Sequence, residues 1–344
     1  MKISSKREKN ETTVSTLPSV RNLRGAKKSN FLVTMGALVC AVMMSSCSVN
    51  DDIEYNNDNG AVRFTAGIAQ VATPQGAPVT KAAGTTWANG DAIGIFMAAH
   101  GGTTNVLAEN KKYTTTGSSS FTPASGEEIF YPQAGAVDFI AYYPWKTGYT
   151  LGTAINVEIN TTQTTENQPT FDLLRAKADN SGNGYNKGDA VALTFDHMLA
   201  RIEMTIVKPS TINPNNTGLT DADLTGMTVT VTGMNTTNTF DLSAGTWGLI
   251  PDAEADITPR TITDAEAYDA IILPGSYAAG DVTVEFTIKP NTPDEETFVW
   301  TLPVTNFAGG NEYPYDVTIT RTGVQATGTI RPWTNNNRQP GTAE

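Results

Sequence analysis

"LTFDHMLARIEMTI", residues 193–206, holds two runs of alternating apolar side chains whose phase changes between them. Leu193 and Phe195 stand on odd positions, whereas Met198, Ala200, Ile202, Met204 and Ile206 stand on even ones. A period of two puts every second side chain on one face of a strand, and a change of phase calls for a bulge or a bend. The pattern spreads outward from here. Upstream it recurs at Val62/Phe64/Ala66/Ile68, Ile93/Ile95/Met97, Val137/Phe139/Ala141/Tyr143, Ile155/Val157/Ile159 and Val191/Leu193/Phe195. Downstream it recurs at Met227/Val229/Val231, Val282/Val284/Phe286/Ile288 and Tyr315/Val317/Ile319. Threonine fills many of the intervening sites, where its branched carbon suits a strand and its hydroxyl suits water. Gly, Pro, Asn and Asp separate the runs, as in Asn89-Gly90-Asp91, Pro274-Gly275 and Gly309-Gly310-Asn311. No long stripe of helical period competes; "TFDLLRAKA" (170–178) has room for one short helical turn. Many short strands with such punctuation predict an all-β chain built of β-sandwiches.

The amino-terminal segment has another character. Arg21, Arg24, Lys27 and Lys28 precede 14 uncharged residues, Phe31 to Met44, which end in Ser45-Ser46-Cys47. A basic flank, a short apolar core and small residues at its exit are the features of a secretory signal. As a helix the core would span only about 21 Å, short of a membrane's hydrocarbon thickness. Residues 1–46 therefore read as a signal peptide, and Met44-Ser45-Ser46-Cys47 resembles a bacterial lipobox, in which Cys47 becomes the lipidated first residue. Cleavage there removes Cys40 and leaves no second thiol for a disulfide. It also removes eight of the 23 Lys and Arg but only two of the 35 Asp and Glu, leaving 15 basic against 33 acidic residues, net −18. Such a charge excludes nucleic acid and anionic lipid surfaces as natural partners. Attachment to a membrane would come through the acyl chains instead.

Residues 47–61 read as an acidic tether. The 298 residues from Cys47 onward are comfortable for two domains of ~100–150 residues. "KPSTINPNNTGLTDAD" (208–223) is polar and rich in turn formers, which sets the expected organisation: a first sandwich over 62–207, a linker or long loop over 208–223, and a second sandwich over 224–344.

Catalytic signals are weak. The chain has two histidines, no HExxH, no cysteine cluster and no glycine-rich phosphate loop. His197 is adjacent to Asp196, but neighbouring strand residues face opposite ways, so a packed histidine bonded to some other group is the expectation. "DNSGNGYNKGDA" (179–190) imitates a calcium loop until its twelfth position, Ala190, where a bidentate Glu is needed. Acidic pairs such as Glu127/Glu128 stand in polar stretches. No catalytic residues, metal or cofactor are expected. Tyr142, Tyr143 and Trp145 in "AYYPW" (141–145) are candidates for stacking on a glycan of a host or bacterial surface, or else for plugging the end of a sandwich.

Six stretches in order now carry a resemblance: "TTWANGDAIGIFM" (85–97), "VDFIAYYPW" (137–145), "QPTFDLLRAKA" (168–178), "LTFDHMLARIEMTI" (193–206), "NFAGGNEYPYDVTI" (306–319) and "GTIRPWTNNN" (328–337). Together with the lipobox they resemble the fimbrillin-like proteins of Bacteroidales. The resemblance implies a structural subunit or accessory protein of surface fimbriae. It implies two transthyretin-like β-sandwich domains, transport to the outer membrane as a lipoprotein, and noncovalent assembly with other fimbrial subunits by strand exchange. It also implies a trypsin-like cut after an arginine in the first strand. Arg63 is the one basic residue between Cys47 and Lys81. Val62, Phe64, Ala66 and Ile68 would line the groove, and "EYNNDNGAV" ahead of them makes a poor strand. The donor strand would lie near residues 324–333, with Val324, Ala326, Ile330 and Trp333 as its apolar contacts. The alternative role is a surface-anchored tip adhesin or carbohydrate-binding lipoprotein.

Overall fold

The alternation at residues 62–68 builds a strand with one dry face and one wet face. In the computed structural model, which describes residues 60–69, 86–212, 218–249 and 254–333, β1 (Arg63–Ile68) buries Phe64, Ala66 and Ile68 and exposes Arg63, Thr65 and Gly67. The signal segment, Cys47 and the tether as far as Asn59 lie outside the described residues. Seven further strands follow: β2 (Asn89–Ala99), β3 (Val106–Thr116), β4 (Ser120–Pro123), β5 (Val137–Tyr143), β6 (Ile155–Glu158), β7 (Leu174–Ala178) and β8 (Ala190–His197). All of these except β6 close into a barrel in the order β1-β4-β3-β2-β5-β7-β8. Its interior is aromatic. Phe64 meets Tyr113 and Phe139 edge to face at 5.1 and 5.2 Å, and Trp87 meets Phe121, Tyr143 and Phe195 at 5.1–5.5 Å. Trp87 Nε1 donates to Ala66 O at 2.9 Å, so the indole is both buried and hydrogen-bonded.

β5 is buried on both faces. Phe139, Ala141 and Tyr143 point into the barrel, while Ile140 and Tyr142 join a second apolar cluster outside it. Gly94 permits this layering, because a Cβ there would lie 2.2 Å from Tyr142 Cε1. The strands around the second cluster are β9 (Ala200–Ile206), β10 (Thr228–Thr232), β11 (Thr237–Asp241), β12 (Thr246–Trp247), β13 (Arg260–Thr263), β14 (Ala267–Ile272), β15 (Gly275–Ser276), β16 (Thr283–Ile288), β17 (Glu296–Thr301), β18 (Asn306–Phe307), β19 (Asn311–Thr320), β20 (Gly323–Gly328) and β21 (Arg331–Pro332). The main sheet runs β13-β14-β9-β19-β20, with β21 also paired to β19. A three-stranded sheet, β10-β16-β17, supplies Val229, Val231, Val284 and Phe286 to the same core as Ile202, Met204, Val317 and Ile319. β6 pairs with β11 and so carries Ile155 and Val157 into this cluster.

The phase change in 193–206 is the passage between the two cores. β8 ends at His197 in the barrel, and β9 begins at Ala200 in the second sheet. Met198 N donates to Leu173 O at 2.8 Å and Gly310 N to Leu199 O at 2.7 Å, which pins the bend from both sides. The stretch expected to separate two domains, 208–223, therefore begins after β9 has already entered the second core. Its described parts form a 3-10 turn (Pro209–Thr211) and the start of a one-turn helix, Asp221–Leu224. The helical turn expected within 170–178 occupies Gln168–Phe171, and the remainder of that stretch becomes β7.

Candidate functional site

β1 lies like a stave between two neighbours of unequal reach. With β8 it pairs in parallel over six residues, Arg63↔Ala190 through Ile68↔Phe195. With β4 it pairs antiparallel at Phe64↔Phe121 and Thr65↔Ser120. Val62, Phe64, Ala66 and Ile68 are 5% exposed or less. Ahead of the strand, Tyr131 N donates to Gly60 O at 2.9 Å and Val62 N to Ile129 O at 2.8 Å. The bond after Arg63 thus sits inside a hydrogen-bonded segment even though the Arg63 side chain is exposed. A break at that bond parts Val62 from Phe64, Ala66 and Ile68, so most of the apolar face stays on the downstream piece.

The carboxy-terminal candidate residues fall on two structures. β20 forms the outer edge of the main sheet, paired with β19 from Tyr315↔Gly328 to Thr320↔Gly323. Val324 and Ala326 are half-buried against the second core, whereas Ile330 is 56% exposed. Trp333 is buried and stacks on His197, with ring centres 3.9 Å apart and planes 9° apart. The Arg201 guanidinium lies 5.4 Å from the same indole. Arg331 donates through Nε to Glu312 and through Nη2 to Glu203, both at 2.8 Å. Arg201 also pairs with Glu203 at 2.6 Å and with Glu312. Glu312 has no exposure, and burial pushes its carboxyl above the ordinary range despite Arg201 and Arg331. His197 Nδ1 lies 3.2 Å from Asp172 Oδ1, so the histidine is bonded to a group other than Asp196. Asp172 and His197 are both nearly inaccessible. This clasp of Arg331 and Trp333 holds the end of the described chain against its own sheet.

The aromatic candidates for glycan contact need correcting. Tyr142 and Tyr143 are 0% and 4% exposed, too little to stack on a ligand. Tyr142 Oη donates to Asn110 Oδ1 at 2.7 Å or to Lys146 O at 2.8 Å, and Tyr143 Oη donates to Asp91 Oδ1 at 3.2 Å. Trp145 is half-buried, with Lys112 Nζ 4.4 Å from its ring centre. The group plugs the junction of barrel and second core. In the 179–190 loop, Asp179 is engaged by Lys177 at 3.1 Å and by Gly182 N at 3.2 Å. Among the described residues no group of three or more His, Cys, Asp or Glu side chains is placed to hold a metal. Sequence reasoning missed the clasp. Its trace was present in "ARIEMTI", where Arg201 and Glu203 alternate with the apolar residues and so share the opposite face.

Comparison with known proteins agrees with this architecture. The chain is 32% identical over 332 residues to a Bacteroides uniformis protein named, by inference, as fimbrium subunit Fim1C; the match covers 90% of this chain and 99% of that one. A crystal structure of an inferred cell adhesion protein from Bacteroides uniformis superposes with a TM-score of 0.64 at 30% identity, covering 81% of this chain and all of that one. Another, from Bacteroides ovatus, gives 0.61 at 22% identity over 80% of this chain and 99% of that one, and shares the fold. The fimbrillin-like family profile matches residues 80–333, and with that span added to the identity above, the chain belongs to the fimbrillin-like family.

Proposed function

We propose that this chain is a noncatalytic structural subunit or accessory protein of a cell-surface fimbrium, exported as an outer-membrane lipoprotein through Cys47 and joined to its neighbours by strand exchange. The barrel and the second core are, in this reading, the two transthyretin-like sandwiches of a fimbrial subunit. The observation that carries the reading is the seat of β1: a six-residue strand that, with Val62 just ahead of it, buries four side chains, flanked on both sides and opening on an exposed arginine. Filling such a seat supplies ladder hydrogen bonds together with apolar burial, the two terms that drive strand addition. Val62, Phe64 and Ile68 each contribute roughly 1.5–3 kcal/mol when buried.

A cut after Arg63 has a definite physical effect. It releases the lipid with residues 47–63 and leaves β1 with a free end, still seated by Phe64, Ala66 and Ile68. An incoming strand then has to displace β1 rather than enter an empty groove. On the donor side, residues 324–333 have to give up the Arg331 and Trp333 contacts before they can reach another subunit. Arg63→Ala tests the scheme: acylated Cys47 should persist on cell-surface protein and fibres should not form, whereas wild-type fibres should begin at Phe64. Fibre assembly that proceeds normally in the Arg63→Ala variant removes the processing step from the proposal.

A further inference from the structure

The barrel's outer face carries a second feature, unrelated to β1. Where β2, β5 and β7 run side by side, the turn between β11 and β12 borders a half-open pocket of about 610 Å³. Arg175 fixes that turn by donating to Leu242 O at 2.6 Å and Ser243 O at 2.9 Å. The volume lies within the ~300–1,000 Å³ typical of small-molecule sites. Ile140 and Leu151, 4% and 7% exposed, lie at its base, and the titratable side chains that line it are His100, Asp138, Arg175, Lys177 and Asp179.

Each polar group is preset. Asp138 is 8% exposed, and its two oxygens take His100 Nδ1 at 2.8 Å and Gly101 N at 2.9 Å. A Cβ on Gly184 would lie 2.8 Å from His100 Cγ, so the imidazole is backed by that glycine and cannot swing toward it. In the neutral ring, giving Nδ1–H to Asp138 leaves Nε2 as an acceptor. Lys177 Nζ and Asp179 Oδ2 stand 3.1 Å apart, a donor and an acceptor side by side. Lys177 and Gly182 N–H keep the Asp179 carboxyl below its ordinary range, so it is an ionised acceptor.

We propose that this pocket binds a neutral sugar residue through a vicinal diol. One hydroxyl accepts from Lys177 while its neighbour donates to Asp179, and a third donates to His100 Nε2. Charge argues for neutrality. Arg175 and Lys177 stand against Asp138 and Asp179, two cations to two carboxylates, so the wall favours neither an anion nor a cation. The site stands whether or not the chain polymerises.

The test is saturation-transfer NMR and calorimetry on the mature chain with methyl α-mannoside, methyl β-galactoside and N-acetylglucosamine, against N-acetylneuraminic acid and glucosamine as charged comparators. At least one neutral sugar should bind with Kd of ~10 mM or tighter. Lys177→Met should weaken it about tenfold, the share of one hydrogen bond, with an unchanged melting curve because the Lys177 side chain is 51% exposed. His100→Gln should weaken it as well. Silence from all three neutral sugars overturns the proposal, as does tighter binding of either charged comparator. Full affinity in the correctly folded Lys177→Met protein overturns it too.

Discussion

Phe64→Ala offers the sharpest probe of the β1 seat. Phe64 is 3% exposed and makes two edge-to-face contacts, with Tyr113 and Phe139. Truncating a buried Phe costs ~3–5 kcal/mol, with aromatic pairs contributing ~0.5–1.5 kcal/mol of that. A protease needs the segment around Arg63 free of its ladder, so cleavage there reports the opening equilibrium of β1 when closing outpaces cutting. At ~1.4 kcal/mol per decade, the substitution should speed cutting after Arg63 by roughly 100- to 4,000-fold. The assay is limited trypsin digestion of the purified chain, with the new N-terminus followed by mass spectrometry. Dividing each rate by that of the urea-unfolded variant cancels any change in the protease's own preference at the bond. Thr65→Ala, on the exposed face, should leave the rate near wild type. Arg260, half-buried beside Asp269, reports wider opening. An unchanged Arg63 rate in Phe64→Ala would show that the ladder does not guard the bond. Equal acceleration at Arg63 and Arg260 would show that β1 does not open alone.

Other outcomes follow from the clasp and the plug. Trp333→Ala should loosen the last strands, raising amide exchange in β20 and β21 by ~10²-fold from a loss of ~3 kcal/mol, with little effect on the barrel. Glu312→Gln tests the buried carboxyl. Its folded pKa is raised, so the folded chain binds this proton more tightly than the unfolded one. Its contribution is present below the ordinary 4.5 and is lost as pH rises through the raised value. The wild type minus Glu312→Gln stability difference, from urea melts, should therefore decline as pH climbs from about 4; a flat difference refutes the burial argument. Tyr142→Phe should cost ~1–3 kcal/mol by stranding Asn110 Oδ1, while Lys146 O keeps the bond from Asn110 Nδ2, and should leave sugar binding untouched.

Much of the fold was legible wherever one face of a strand is wet. β1, β8 and β10 show it: their larger apolar residues alternate with Thr, charged or small residues, and the buried set matches the sequence pattern. β14, "AYDAII", is buried throughout and therefore carries no alternation to read. β3 fails for the opposite reason. "VLAENKKYTTT" buries only Tyr113 and Thr115, so its strand character comes from its neighbours β2 and β4. The place where the chain changes core was visible as a phase slip at His197, but polar composition drew attention to 208–223 instead. Composition marks solvent contact, not a change of core. The aromatic group at 141–145 was found correctly as a cluster, but sequence cannot say whether a ring at a strand end faces inward. The clasp depended on pairing β9 with β19, residues separated by more than a hundred positions.

The parallel pairing of β1 with β8 has a mechanical consequence. A pull on the chain ahead of Gly60 enters β1 at its Arg63 end, while β8 passes tension onward from His197, at the far end of the same ribbon. The bonds across that ribbon are loaded together in shear, instead of failing one after another as in unzipping. An anchored chain dragged by flowing liquid would thus spread the drag over the whole length of this stave, whereas a blade that severs the leash removes the load at a stroke.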